Sequence, residues 1–271
     1  MQGNYRFLCL FIKTFVKKIS HKTTINVLEP GCGKGEFIEA LSVFLKSEFP
    51  EIEFNVVGFD VTVRPQITVI NAGKIHLIDE NDNWPYEDDS FDIVISNQVL
   101  EHVKVPTHFL KELSRVMNRG AIALHLFPTK EVLIEPHCNL PMTHWIDNWG
   151  ARKKVTKIFS SMGLGKYKKN GNNEKYGLDE WSTILADMAT HFIHYLEMKD
   201  YLRLSERVGL RSSFRFTHEM YLYLFLNKLN RADNISLDFD REYSFFYDLY
   251  LLSLYKRLRG IALFHEKMNV A

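Results

Sequence analysis

The feature that most constrains this chain is a short apolar run that ends in an acid and leads into a glycine turn, at residues 25–35. Gly31, Gly33 and Gly35 stand at alternate positions after Glu29, and apolar residues at helical spacing follow. A turn of this kind lets a ligand approach the main chain, because glycine accepts positive φ and carries no Cβ. Its spacing differs from the G-x-G-x-x-G of dinucleotide binders and from the P-loop pattern. The segment therefore predicts a strand, a ligand-binding turn and a helix start in an α/β protein.

Short apolar runs alternate with helical patterns along the first half of the chain. Strands are predicted at 25–28, 54–60, 74–79, 91–96 and 120–127, helices at 37–45 and 105–117, and a helix of only a turn or two around Pro65. Strands that alternate with helices build a parallel sheet with right-handed crossovers. The predicted fold class is therefore α/β, with a mostly parallel sheet flanked by helices.

Composition limits the classes of partner and the compartment. The 271 residues carry a net charge of +1, which gives no general argument for nucleic acid or membrane binding. Cys9, Cys32 and Cys138 are an odd number of cysteines without C-x-x-C spacing. This usage favours a reducing compartment over a disulfide framework, so we expect a cytoplasmic protein.

The N-terminal segment, 1–22, carries apolar residues at helical spacing between positions 7 and 19. Its uninterrupted apolar run, 7–12, is too short to span a membrane. The pattern predicts an amphipathic helix packed on its own domain. A helix lying on a membrane surface, as a peripheral contact, is the alternative.

Three of the predicted strands end in an acid: Glu29, Asp60 and Asp79. In an open parallel sheet, ligands bind beyond the carboxyl ends of the strands, where the strand order reverses. Acids at this edge suit a ligand with a cationic amino group and hydroxyls, and they would repel a pyrophosphate. The strand ends therefore predict an acidic ligand pocket.

Two motifs carry a resemblance to a known family. The run Acid-Pro-Gly-x-Gly-x-Gly at 29–35 resembles motif I of the class I S-adenosylmethionine (SAM) methyltransferases. The runs W-P-Y at 84–86, S-F-D at 90–92 and V-L-E-H at 99–102 resemble the signature of the type 11 branch of that family. The turn before the fifth strand departs from the family's usual Pro-Gly-Gly, since Asn118, Arg119 and Gly120 stand there. The resemblance covers roughly residues 25–128.

The resemblance implies a Rossmann-like sheet of the seven-stranded type that binds SAM and releases S-adenosylhomocysteine, with no metal. Glu29 and the glycines would shape the pocket for the methionine end, and Asp60 would bridge the ribose hydroxyls. Asp79 would lie beside the adenine amine, with Glu80 as the alternative if the register slips by one. The implied cofactor residues are Glu29, Gly31, Cys32, Gly33, Gly35, Asp60, Val61, Asp79, Glu80 and Asn97.

Methyl transfer from SAM is an in-line displacement, so the protein mainly supplies proximity and orientation. An oxygen or nitrogen acceptor also calls for a base, for which the pKa of histidine is suited. His144 is the first candidate and His137 the second, with His102 lining the pocket; a packed histidine is the alternative at each position. A metal site built from His125, His137, Cys138 and His144 matches no tetrahedral spacing, so no metal is expected.

The second half of the chain, 129–271, is predicted to cover the acceptor, beyond a SAM-binding core at 23–128. Residues 152–175 form a basic, glycine-rich segment that predicts a solvated lid or a clamp for an anionic acceptor. Helices are predicted at 179–207, 219–229 and 243–264, with a late strand at 212–217. The predicted function is methylation of an oxygen, or less favourably a nitrogen, of a small-molecule or glycan-type acceptor. RNA or protein methylation and a non-catalytic SAM-binding subunit remain alternatives; the segment shows no aromatic platform for nucleic acid.

Overall fold

The computed structural model describes residues 3–61, 74–231, 237, 239 and 245–268. The short helix predicted around Pro65 lies outside the described residues. The helices are α1 Gly3–Lys18, α2 Glu36–Glu48, α3 Pro106–Val116, α4 Trp149–Ser161, α5 Lys166–Lys169, α6 Asn172–Lys175, α7 Leu178–His191, α8 Met198–Arg207, α9 Thr217–Lys228 and α10 Phe245–Tyr255.

A seven-stranded sheet forms the centre of the molecule. Its strands are β1 Thr24–Pro30, β2 Glu53–Asp60, β3 Ile75–Leu77, β4 Phe91–Asn97, β5 Met117–Phe127, β8 Leu210–Ser213 and β9 Ile261–Lys267. They lie in the order β3-β2-β1-β4-β5-β9-β8, and a separate hairpin pairs β6 Ile134–Glu135 with β7 Leu140–Pro141. The first five strands of this order are parallel, and β9 runs antiparallel between β5 and β8. The predicted Rossmann-like α/β fold class is confirmed.

The strand order places a crevice at the edge where the candidate residues were expected. Connections leave β1 towards β2 on one side, whereas β4 lies on the other side of β1. A reversal of this kind opens a ligand crevice beyond the carboxyl ends of the two strands. The glycine turn follows β1 at this point, so the fold itself brings it to the crevice.

Helix α1 packs its apolar face on the sheet domain. Phe7, Phe11 and Ile12 have no exposed surface and belong to the main hydrophobic cluster. Phe11 contacts the rings of Phe216 and Phe264 at centroid distances of 5.3 and 6.2 Å. The apolar face of α1, which the alternative prediction places on a membrane surface, is therefore packed against the rest of the protein. Among the described residues, no helix has the length and apolar character needed to cross a bilayer.

Two predicted helices in the second half of the chain have the wrong extent. The tail predicted as a helix over 243–264 contains α10 and then β9, because residues 261–264 are buried between β5 and β8, where ladder hydrogen bonds outweigh helical spacing. The predicted lid at 152–175 is helical: α4 begins after Asn148, whose side chain accepts a hydrogen bond from the N–H of Ala151. The helix predicted over 179–207 is interrupted between α7 and α8.

Candidate active site

The glycine turn is tied to the end of β2 by its own backbone. The N–H groups of Gly31 and Cys32 both donate to the carbonyl oxygen of Phe59, at 2.8 and 3.0 Å. The N–H of Gly33 donates to Oδ2 of Asp60 at 2.7 Å. Gly31, Gly33 and Gly35 all have positive φ, from 59° to 76°, which explains why glycine stands at each position. The turn and Asp60 therefore form one corner of the site.

Close packing around this corner requires a further glycine that the sequence analysis did not single out. A Cβ on Gly58 would lie 2.6 Å from the carbonyl oxygen of Glu29 and 2.8 Å from Cβ of Cys32. A Cβ on Gly31 would likewise lie 2.6 Å from Cγ2 of Val99. The available signal was a glycine inside an otherwise apolar strand, a sign of close backbone approach.

A buried acid, Glu29, lies in β1 immediately before the glycine turn. Glu29 is 3% exposed, and its Oε2 atom has no hydrogen-bond partner among the described residues. Burial, and then the charge of Asp60, raise the pKa of Glu29 well above its ordinary value. An orphaned carboxylate oxygen in a buried position is costly unless a cationic or hydrogen-bonding ligand reaches it.

Helix α1 contributes two side chains beside this acid that the sequence analysis missed. Asn4 Nδ2 donates to Oδ1 of Asn97 at 2.9 Å. Tyr5 shares a side-chain hydrogen bond with Asn97 and stacks on Phe37 at a centroid distance of 4.4 Å. These contacts fix Asn97 at the carboxyl end of β4. No sequence motif in α1 would have revealed them.

A cleft of about 520 Å³ opens from this corner. Among the predicted cofactor residues, Gly31, Asp60, Val61 and Glu80 line it. The remaining predicted cofactor residues, Glu29, Cys32, Gly33, Gly35, Asp79 and Asn97, are not among its lining residues.

Asp79 is exposed and does not line the cleft, whereas Glu80, the predicted alternative, does. The reason is that β3 ends at Leu77 and the chain then turns, with the N–H of Asp79 donating to Asp82 at 3.2 Å. Glu80 instead pairs with Lys104 at 2.8 Å across the cleft. Of the two acids predicted for the adenine position, Glu80 is therefore the one that lines the cleft.

The acidic loop beside the cleft is held by Arg115, which pairs with Glu112 and with Asp88. Oε2 of Glu112 accepts from the N–H of Trp84 at 2.8 Å, and Arg115 donates to Glu112 at 2.7 Å. Arg115 also donates to the carbonyl oxygens of Trp84 and Tyr86, at 3.0 and 2.8 Å. Trp84 packs between Phe59 and Phe109. The loop is thus fixed at its Trp-Pro-Tyr segment.

Two histidines meet beside the cleft. The rings of His102 and His137 lie 5.1 Å apart, and His102 lines the cleft, whereas His137 is not among its lining residues. Nδ1 of His102 lies 2.7 Å from the carbonyl oxygen of Phe192. Nδ1 of His137 lies 2.6 Å from Oε1 of Glu135. Because both partners only accept, we assign the ring proton to Nδ1 in each histidine, which leaves Nε2 of each ring free of the proton.

The carboxylate that holds His137 is itself well satisfied. Glu135 is 1% exposed, and its oxygens accept from the N–H of Cys138 at 2.7 Å and from the hydroxyl of Tyr195 at 2.8 Å. Burial alone would raise the pKa of Glu135, but the hydrogen bonds from His137 and Cys138 lower it to about 2. Glu135 therefore stays ionised and orients the ring of His137.

Glu101 lies against the same two histidines. It has no exposed surface, and neither carboxylate oxygen has a hydrogen-bond partner among the described residues. Burial raises the pKa of Glu101 to about 8. One ligand atom from each of Glu101, His102 and His137 lies within 4.8 Å of the others. The sequence signal for Glu101 was an acid inside the apolar V-L-E-H run.

The first candidate base, His144, is not brought to the cleft. It is 7% exposed, its Nε2 lies 3.2 Å from the carbonyl oxygen of Lys130, and it packs against the ring of Tyr195 at 5.2 Å. His125 is buried in the sheet, with Nδ1 2.7 Å from the hydroxyl of Ser96 and its ring 5.3 Å from His265. Both are packed histidines.

Most of the described basic side chains in 152–175 have structural partners. Arg152 is 6% exposed and donates to the carbonyl oxygen of Ile146 at 2.9 Å. Lys153 and Lys157 both pair with Asp179 at 2.8 Å. These contacts fasten α4 to its neighbours, so they weaken the prediction of a clamp for an anionic acceptor.

One family model and several solved structures match this chain. A model of the family described as "Methyltransferase domain" matches residues 1–211. A search of curated proteins gave no match. Phosphoethanolamine N-methyltransferase 2 of Haemonchus contortus, solved with SAM, is 12% identical with a TM-score of 0.46, over 92% of this chain and 49% of that one. The chain thus spans about half the length of that enzyme.

Two bacterial structures are matched over nearly their whole length. The YcgJ protein of Bacillus subtilis is 12% identical with a TM-score of 0.48, over 97% of this chain and 99% of that one. A SAM-dependent methyltransferase of Mesorhizobium loti is 11% identical with a TM-score of 0.47, over 90% of this chain and 91% of that one.

Proposed function

The chain belongs to the family of methyltransferase domains, and we propose that it transfers a methyl group to an oxygen of a small-molecule or glycan-type acceptor. It is an enzyme of the SAM-dependent methyltransferase class, with SAM as the methyl donor and S-adenosylhomocysteine as the product. The acceptor, its methylated atom and the roles of individual residues are the proposed part.

The orphaned oxygen of Glu29 supports the cofactor end of this proposal. A buried carboxylate that lacks a partner suits the ammonium group of SAM. Asp60 and Val61 line the cleft where the ribose would lie, and Glu80 is assigned to the adenine amine. Asn97, held by α1, is assigned to the methyl end. When bound, SAM supplies a methyl group that is already activated on a sulfonium sulfur.

The pair His137–Glu135 is the observation that carries the acceptor proposal. An alcohol must lose its proton as the methyl group arrives, whereas a neutral amine attacks through its free lone pair. With the proton on Nδ1 facing Glu135, Nε2 of His137 is the atom that accepts the acceptor's proton. The ionised carboxylate then stabilises the charged ring, as in other base–orienter pairs. This arrangement supplies the base that the proposed oxygen acceptor requires.

The burial and spacing of the cysteines support a proposal for the cellular compartment. Cys9, Cys32 and Cys138 are buried, and their odd number without C-x-x-C spacing supports a reducing compartment such as the cytoplasm. Burial raises the pKa of Cys9 to about 12, so that thiol stays protonated and unreactive. The proposal would be contradicted by a mature protein recovered outside the cell.

The test is transfer of a labelled methyl group from SAM to pooled hydroxylated metabolites and glycans, with amine, RNA and protein pools run in parallel. Transfer to the hydroxyl pools supports the proposal, and transfer only to amine, RNA or protein pools contradicts it. Binding of S-adenosylhomocysteine without transfer to any pool would favour the non-catalytic subunit. Glu135→Gln should keep affinity for S-adenosylhomocysteine and lower kcat by about 10²-fold or more, because the base His137 loses the carboxylate that orients its ring. His144→Gln, outside the cleft, is the matched control.

A further inference from the structure

The role of His137 as a base leaves one residue of the site, Glu101, unexplained. Its side chain is fully buried, both carboxylate oxygens lack a hydrogen-bond partner in the part of the chain that the structure describes, and it lies beside two imidazoles. Buried polar groups in proteins are normally satisfied, and a carboxylate with no donor near it is especially costly. A general base needs only His137 and Glu135. The two oxygens of Glu101 therefore indicate a ligand that accepts their electron pairs.

The two imidazoles are oriented as metal ligands are. A metal-binding histidine donates its other ring N–H to a carbonyl or carboxylate, which fixes the ring and raises its basicity. His102 does so to the carbonyl oxygen of Phe192 at 2.7 Å, and His137 to Glu135 at 2.6 Å. Tyr195 also donates to Glu135, so the partner of His137 is itself held. Both rings thus keep Nε2 for a ligand.

We propose that Glu101, His102 and His137 bind a divalent cation of the zinc class at the acceptor end of the cleft. Two imidazoles with one carboxylate are a ligand set of catalytic zinc sites, which keep a position open for water or substrate. The open position is available here because His102 is exposed and lines the cleft, whereas Glu101 closes the site from behind. The three ligand atoms lie within 4.8 Å of one another, so binding of zinc, with bonds of about 2.0–2.2 Å, draws the side chains closer together.

The use of this cation rests on the proposed oxygen methylation. A zinc-class ion lowers the pKa of an oxygen ligand, so it would hold the acceptor hydroxyl and take over the activating role from Nε2 of His137. The hydroxyl proton then leaves to water on the open side of the cleft. An oxygen lone pair forms the bond to the methyl carbon, and the carbon–sulfur bond breaks with its electrons going to sulfur. The balance is an alcohol and SAM giving a methyl ether, S-adenosylhomocysteine and one proton.

The binding test uses the untagged full chain and Zn²⁺ or Mn²⁺ alone. After equilibrium dialysis against either ion, bound metal is counted per chain by mass spectrometry, and thermal unfolding is followed with and without the ion. We expect one ion per chain and a raised Tm, because a ligand that binds only the folded state stabilises it. Glu101→Gln and His137→Gln should lower the affinity by at least about 100-fold, and Glu135→Gln by about 10–100-fold, as loss of an outer partner does.

His108→Gln is the matched control, since His108 lines the same cleft outside the cluster. It should take up the wild-type amount of metal. No uptake of either ion by the wild type, or equal uptake by wild type and Glu101→Gln, overturns the cation site. Binding of S-adenosylhomocysteine by each variant checks that it is folded. If metal binds as expected but no hydroxyl pool is methylated, the site stands and the proposed oxygen methylation fails instead.

Discussion

Oδ2 of Asp60 accepts a hydrogen bond of 2.7 Å from the backbone N–H of Gly33, so the acid that ends β2 also braces the glycine turn that follows β1. A carboxylate predicted only as a ligand group thus has a structural task as well. The ligand pocket and the stability of the fold are therefore linked at this residue.

The first prediction concerns that link. Asp60→Ala leaves the N–H of Gly33 without its partner, which should cost about 1–3 kcal/mol of unfolding free energy. Affinity for S-adenosylhomocysteine should fall by at least about tenfold, the equivalent of roughly 1.4 kcal/mol. Asp79→Ala, at an exposed acid outside the cleft, should change stability by no more than about 0.5 kcal/mol. Urea unfolding and calorimetric titration measure both, and a larger affinity loss in Asp79→Ala would contradict the assignment.

The second prediction concerns Gly58. Its Cβ would meet a backbone oxygen of Glu29 at 2.6 Å and Cβ of Cys32 at 2.8 Å, and neither atom is the end of a flexible side chain. Gly58→Ala should therefore lower the unfolding free energy by about 1–3 kcal/mol, the usual cost of overpacking. Gly177→Ala is the control, because nothing lies within 4 Å of its Cβ. Equal urea midpoints for the two variants would contradict overpacking at Gly58.

The third prediction concerns the clamp on the acidic loop. Glu112 is 3% exposed, so removing Arg115 leaves a buried carboxylate without its cation. Arg115→Gln should cost about 2–3 kcal/mol, less than a fully buried pair because Arg115 is partly exposed. Hydrogen exchange should speed up in 84–88, where Arg115 holds two carbonyl oxygens. The exposed pair Lys157–Asp179 supplies the control, since Lys157→Gln should cost less than about 1 kcal/mol.

The fold could be predicted from the sequence because it depends on local signals, and the same segments supply the residues predicted for the cofactor. The glycine turn, the acid-ended strands and the alternation of strands with helices each occupy one short segment. The placement of β9 could not be found this way, since only contact with β5 and β8 distinguishes that buried apolar run from a helix. The contact of His137 with Glu135 could not be predicted for the same reason. His137, Glu135 and Tyr195 are brought together by packing across 60 residues, and no spacing rule separates His137 from the packed His144.

The last prediction uses the buried histidine pair in the sheet. Burial lowers the pKa of His265 to about 3, and it also lowers that of the neighbouring His125 well below its ordinary value. In the unfolded chain a histidine titrates near a pKa of about 6.5. Between about pH 6.5 and 3, these histidines therefore bind protons in the unfolded chain but stay neutral in the folded chain. Stability is unaffected by this pair above pH 6.5 and falls as the pH drops through that window.

Each histidine that stays neutral adds a slope of about 1.4 kcal/mol per pH unit to that loss. His265→Gln removes one such proton, so the loss of unfolding free energy between pH 6 and pH 4.5 should shrink by about 2 kcal/mol. The comparison is made between the two pH values within each variant, so any packing change at His265 cancels. The exposed His21 provides the control, and His21→Gln should keep the wild-type slope. Urea unfolding at the two pH values decides the matter: an unchanged slope in His265→Gln would mean that this ring already takes up its proton in the folded protein.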